Sequence, residues 1–365
     1  YNMPKTPFFI HIGTWKTGSS TIQFNLHTVK SRLEEEGLFY MSKGDKMVID
    51  DEIIRGFRSL EWDYINASRS KLKSIIESKR KNNRAMRFIA SAEEFSGDPF
   101  TAFDNAGEVA RNLFEITRDL DLDIKIIVYL RRQDDFIESM YTQSIHLGGT
   151  KTFEEFLSGY EKKAFDWYTF LSLYAEVFGK ENIIVRRYHK SFLPSNDSLI
   201  HQMGEILESE TLRSFTSTNP RNRGLSRDAL EITRITNSHL NQADQYLLRS
   251  IFQETNSKQP FESYAYFGAN ERMDFMSDYE ESNARIASEF LNLKTERLFP
   301  DDYSGEQQNY QGLSVEAVAL NLSKGLVSLN KRLVRIEEDL RYEIISNTPM
   351  YKFKAWIKKL IGREF

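Results

Sequence analysis

The chain has 365 residues, 40% of them apolar and 28% charged, and a net charge of −4 at neutral pH. That apolar share can build a packed core, which excludes general disorder, and the acidic balance excludes a nucleic-acid partner held by bulk electrostatics. There is no cysteine, so disulfides, Cys-ligated zinc and thiol nucleophiles are excluded as well.

Phe8 to Ile12 (FFIHI), between Pro7 and Gly13, reads as a buried strand. A helix should follow, opened by Thr17, Gly18 and Ser19, closed by Gly37, with Ile22, Leu26 and Val29 on one face. Leu38 to Met41 and Arg87 to Ser91 are strand-like, and Glu108 to Leu120 reads as a helix. Ile124 to Leu130 (IKIIVYL), rich in β-branched residues, is the strongest strand signal and runs into a helix from about Gln133 to His146. A helix over Trp167 to Phe178 and a strand over Asn182 to Tyr188 come next, and Ser198 to Leu298 reads mainly as helices and loops. Strands alternating with helices predict a parallel sheet with helices on both faces.

Pro300 to Gly312 (PDDYSGEQQNYQG) reads as a linker after a catalytic-sized domain over 1–299. Beyond it Val315, Ala319, Leu322, Leu326, Leu329, Leu333, Ile336 and Leu340 alternate in steps of 4 and 3, a heptad seam that predicts a helix over 313–345 and a homo-oligomer through 315–340. The competing expectation is a helix packed on its own chain. The basic, aromatic tail 346–365 carries Lys352, Lys354, Lys358, Lys359 and Arg363 around Phe353, Trp356 and Ile357. It has the character of a membrane-surface helix, so a peripheral membrane contact through 349–365 is expected. No apolar run approaches the roughly 20 residues of a spanning helix, and the first residues lack a signal-peptide pattern. The expected location is therefore the cytoplasm, with the tail reaching the inner membrane surface.

The most informative stretch is Gly13-Thr14-Trp15-Lys16-Thr17-Gly18-Ser19-Ser20, a strand-to-helix turn. It nearly fits the phosphate-loop pattern G-x-x-x-x-G-K-[ST], but Ser19 stands where the lysine belongs and a lysine stands three residues earlier, at Lys16. Backbone N–H groups at a helix N-terminus, hydroxyls at Thr17, Ser19 and Ser20 and the charge of Lys16 make a cup for a phosphate-sized anion. The missing lysine argues against a β/γ-phosphate with magnesium. A second anion site is expected at Arg131-Arg132, the carboxyl end of the strongest strand, with Ser139 eight residues after Arg131 on the next helix. Asp134 and Asp135 lie close by, so an inert ion-paired cluster is the competing reading there.

With these two segments in view, HIGTWKTGSSTIQ (His11 to Gln23) resembles the 5′-phosphosulfate loop of sulfotransferases that use 3′-phosphoadenosine 5′-phosphosulfate (PAPS). YLRRQDDFIESMY (Tyr129 to Tyr141) resembles their 3′-phosphate segment, and Arg221 to Asn237 resembles a later segment of the bacterial type that sulfates carbohydrates. The resemblance implies a P-loop-like three-layer α/β fold with a central parallel sheet, here with a C-terminal coiled-coil-like helical extension. It implies PAPS as donor, no metal, and a carbohydrate or glycolipid acceptor. It assigns Thr14, Trp15, Lys16, Thr17, Gly18, Ser19, Ser20, Arg131 and Ser139 to nucleotide binding and makes Lys16 catalytic. A base should stand at the end of the strand before Arg131, where Ser91-Ala92-Glu93-Glu94 offers Glu93 first and Glu94 second, with His11 and His146 in reserve. Two other functions fit parts of the pattern: an ATP-dependent P-loop kinase of a small molecule, and a non-catalytic coiled-coil protein with a nucleotide domain.

Overall fold

The computed structural model describes residues 5–41, 62–217, 224–258, 261–294, 297–300, 310–348, 350 and 352. Arg221 to Arg223, most of the expected linker, and all of the basic tail except 346–348, Met350 and Lys352 lie outside them. The described chain forms two compact units. The first comprises 1–143, 151–222 and 263–310, and the second 144–150, 223–262 and 311–365.

The first unit is built on five strands: β1 (Thr6–Ile12), β2 (Leu38–Met41), β3 (Arg87–Ala92), β4 (Leu122–Leu130) and β5 (Ile183–Arg187). Their order is β2-β3-β1-β4-β5 and every pairing is parallel. Ile12 lies beside Ala92 on one side, and His11 beside Ile127 on the other. Ile126 to Leu130 are completely buried, as expected for a strand covered on both faces. From β1 the chain crosses leftward to the edge strand β2, whereas the later crossovers all step the other way. With right-handed connections the two sets of helices must lie on opposite faces of the sheet. The packing agrees: the helix Ser19–Thr28 meets Ser198–Ile206, while Ala106–Thr117 meets Trp62–Asn82 and Trp167–Phe178. The P-loop-like α/β class read from the sequence is therefore the fold observed. The crevice between the carboxyl ends of β1 and β4 is its topological switch point.

Two elements depart from the expectation. The helix after β1 runs Ser19–Thr28, breaks at Val29 (φ −105°, ψ 14°) and restarts over Lys30–Glu35. Thr28 donates its hydroxyl back to Phe24 O at 2.8 Å, a bond that bends helices. The helix expected to reach Leu120 ends at Thr117, because Arg118 is extended and Asp119 takes a left-handed φ of 64°.

The second unit holds a two-stranded ribbon, β6 (Gly224–Leu225) with β7 (Ser257–Lys258), and the helices Arg227–Thr236, Gln242–Thr255 and Val315–Ser346. The long last helix is capped by Ser314, whose hydroxyl accepts from Ala317 N. It packs on Gln242–Thr255 through a face that includes Asn321 and Gly325, the two positions of this helix that are buried. Among the described residues no helix is long and apolar enough to cross a membrane.

Candidate functional site

The turn after β1 is organised by two glycines and two threonines. Gly18 caps the helix Ser19–Thr28 with φ 81°, and a Cβ there would lie 2.5 Å from Leu199 Cδ2. A Cβ on Gly13 would lie 2.3 Å from Ser19 Oγ, so both positions require glycine. Thr14 donates its hydroxyl to Tyr129 O of β4, and Thr17 donates to Thr14 O. These two hydroxyls brace the loop against the neighbouring strand. Ser19 Oγ and Trp15 Nε1 are buried without a hydrogen-bond partner, while Ser20 is exposed at the start of the helix. A buried, unpartnered hydroxyl and indole N–H in a loop that ends on a helix N-terminus suit an anion with several acceptor oxygens.

Lys16 has φ 64°, a left-handed conformation unusual for a residue with a Cβ. Backbone strain of this kind, on the order of 1 kcal/mol, persists where surrounding bonds enforce it. Here Arg131 Nη1 donates to Lys16 O at 3.0 Å, across 115 residues of sequence. The same nitrogen donates to Ser139 Oγ at 3.2 Å, and Lys16 Nζ donates to Gln143 Oε1 at 3.0 Å. The two expected anion segments thus meet at the β1/β4 crevice. Gln143, one turn beyond Ser139, was missed by the sequence reading, although the i, i+4 spacing puts the two on one face. Tyr188 was also missed. It follows β5, its ring lies 5.8 Å from the Arg131 guanidinium, and burial pushes its phenol pKa up, with the Arg131 charge opposing that shift.

The adjacent arginine does something else. Arg132 is buried and forms a bidentate pair with Asp134, at 2.9 Å from Nε and 2.6 Å from Nη2. Arg272 bridges Asp134 at 2.6 Å and Glu138 at 2.9 Å, and Arg132 Nη1 reaches Pro300 O at 3.1 Å. Burial works against the Asp134 carboxylate, but the hydrogen bonds and charge of Arg132 and the charge of Arg272 hold its pKa below the ordinary value. The ion-paired reading therefore applies to Arg132, whereas Arg131 bonds the anion loop and Ser139.

Glu93 and Glu94 open a 3₁₀ turn directly after β3, and both are half-buried. Ser96 Oγ donates to Glu93 O at 2.8 Å, Gly13 N donates to Ala92 O at 3.2 Å, and Tyr174 OH fixes Phe95 O at 2.6 Å. The turn carrying these carboxylates is thereby tied to the first residue of the anion loop. His146 belongs to the second unit. His11 is fully buried in β1, with Nδ1 2.7 Å from Ser91 Oγ, and burial lowers its pKa to about 3. It is a neutral core residue rather than an acceptor-facing base.

The unfolded chain binds a proton at His11 below about pH 6.5, and the folded chain does so only near pH 3. The stabilisation from keeping it neutral is complete above pH 6.5 and is lost as pH falls towards 3. Urea unfolding should therefore show a loss of about 2 kcal/mol between pH 6.5 and pH 5 from this group. His11→Gln should flatten that limb, and an unchanged slope would remove His11 as its source.

Among the described residues no group of three or more His, Asp or Glu side chains could hold a metal ion. No protein-family profile matches the chain. It is 26% identical over 182 residues to an uncharacterised protein of Archaeoglobus fulgidus, a match covering 49% of each; the chain spans about half the length of that curated relative. Among solved structures, a sulfotransferase from Alicyclobacillus acidocaldarius superposes with a TM-score of 0.33 at 14% identity, over 67% of this chain and 100% of that one. The sulfotransferase domain from the curacin biosynthetic pathway does so with a TM-score of 0.34 at 10% identity, over 76% and 98%. Neither superposition is close enough to bear on the chemistry of this chain.

Proposed function

We propose that the chain transfers the sulfuryl group of PAPS to a hydroxyl of a carbohydrate, either a glycan or a glycolipid. The observation that carries this reading is the bond from Arg131 Nη1 to Lys16 O. It joins a phosphate-type loop lacking the usual nucleotide lysine to an Arg–Ser pair at the next strand's end. Two such anion sites in one crevice suit a nucleotide phosphorylated at both ends, and the donor supplies a sulfuryl group on a phosphate leaving group. Ser19, Ser20 and the first N–H groups of the helix would hold its 5′ end, and Arg131 with Ser139 its 3′-phosphate. Trp15 presents an N–H beside them. Lys16 brings a positive charge to the loop, where it can stabilise charge that develops on a leaving oxygen. Glu93 would take the proton of the acceptor hydroxyl.

The reading is tested with adenosine 3′,5′-bisphosphate in thermal-shift and calorimetric titrations of the full chain. That nucleotide should raise the unfolding temperature and ATP with magnesium should not. Arg131→Ala should weaken its binding about tenfold to thirtyfold, the loss of hydrogen bonds to a charged group. An equal response to ATP–magnesium would favour the kinase reading, and unchanged affinity in Arg131→Ala would overturn the nucleotide assignment. A labelled-sulfate screen over glycans and glycolipids then identifies the acceptor.

A further inference from the structure

The last helix carries two different faces. Asn321, Gly325, Ser328 and Arg332 recur every three or four residues. Asn321 is 5% exposed, and Ser328 and Arg332 bond to Glu254 on the helix Gln242–Thr255. Taking 100° per residue, the heptad seam lies about a quarter-turn away from this row. Its seven larger residues, Val315, Leu322, Leu326, Leu329, Leu333, Ile336 and Leu340, are 38–81% exposed. Among the described residues the helix's own-chain packing therefore uses one face and leaves the seam exposed. Every residue from Leu333 to Ile345 is exposed.

We propose that the occupant of this seam is a second copy of the chain, paired helix to helix. A 3,4-spaced apolar row is self-complementary: the knobs of one copy fit the holes of an identical one. At roughly 100 Å² of exposed side chain each, the seam residues present on the order of 700 Å² per chain, close to one side of a standard stable interface. One pair of edge positions is of opposite charge. With Val315 at heptad position d, Arg332 falls at g and Glu337 at e, so a parallel copy in register sets Arg332 opposite the partner's Glu337. Arg332 Nε donates to Glu254 at 3.1 Å in its own chain, which holds it on that edge.

The absence of native cysteine makes the test clean. In sedimentation velocity at tens of micromolar, the full chain should run as a multiple of 42.7 kDa. Leu326→Glu with Leu333→Glu should return it to the single-chain mass, while Lys324→Glu, on the far side of the helix, should not. Ile336→Cys, at a d position where paired backbones approach within disulfide range, should cross-link at least tenfold faster under mild oxidation than Lys324→Cys. A wild-type chain that sediments at 42.7 kDa, a double-Glu variant of unaltered mass, or equal cross-linking at the two cysteine positions would each overturn the pairing.

Discussion

Lys16→Ala should lower the rate of sulfuryl transfer by two orders of magnitude or more, about 3 kcal/mol of transition-state stabilisation, and leave the affinity for adenosine 3′,5′-bisphosphate within a few-fold. The split follows from which atoms of Lys16 do what. Its carbonyl accepts from Arg131, and alanine keeps that bond and hence the loop's anchorage. The side chain beyond Cβ is removed, and with it the ammonium that lies 3.0 Å from Gln143 Oε1. A cation matters most where negative charge grows during reaction, so its loss should appear in kcat more than in binding. The left-handed φ of 64° supplies an internal control. Lys16→Gly relieves the backbone strain and Lys16→Ala retains it, so equal losses in both variants assign the effect to the charge. Single-turnover transfer of labelled sulfate is the measurement. A Lys16→Ala rate within threefold of wild type would remove the residue from the chemistry.

The sheet and the loop were legible because their signals are local. FFIHI followed by a glycine-bounded turn needs no distant information, and IKIIVYL is apolar throughout since β4 is covered on both faces. What escaped depends on residues far apart in sequence. Nothing local separates Arg131 from Arg132; the structure does so by burying Asp134 and bringing in Arg272 from 138 positions away. The ribbon of β6 and β7 is two residues per strand, too short to carry any period. The heptad seam was visible because it is apolar, whereas the face that docks on Gln242–Thr255 was not, being made of Asn321, Gly325 and Ser328. The expectation of hydroxyl donors at Thr17, Ser19 and Ser20 also could not foresee that Thr17, like Thr14, donates its hydroxyl to a main-chain carbonyl.

Glu93→Gln should likewise reduce turnover by about two orders of magnitude or more, the usual worth of a positioned base, with nucleotide affinity unaltered. Glutamine keeps the size of the side chain and removes its ability to accept a proton. The turn that carries it is held through main-chain atoms, by Ser96 Oγ on Glu93 O and Gly13 N on Ala92 O, so the substitution should not shift the loop. Position in the sheet favours this residue: β3 lies beside β1 on the side opposite β4, so the residue at its end stands beside the anion loop while Arg131 flanks the loop from the other side. His11 cannot substitute, being fully buried and held neutral. Glu94→Gln is the companion variant and should retain most of the activity. If Glu94→Gln alone were inactive, the base would be Glu94 rather than Glu93; if both variants turned over normally, acceptor activation would have to come from outside the β3 turn.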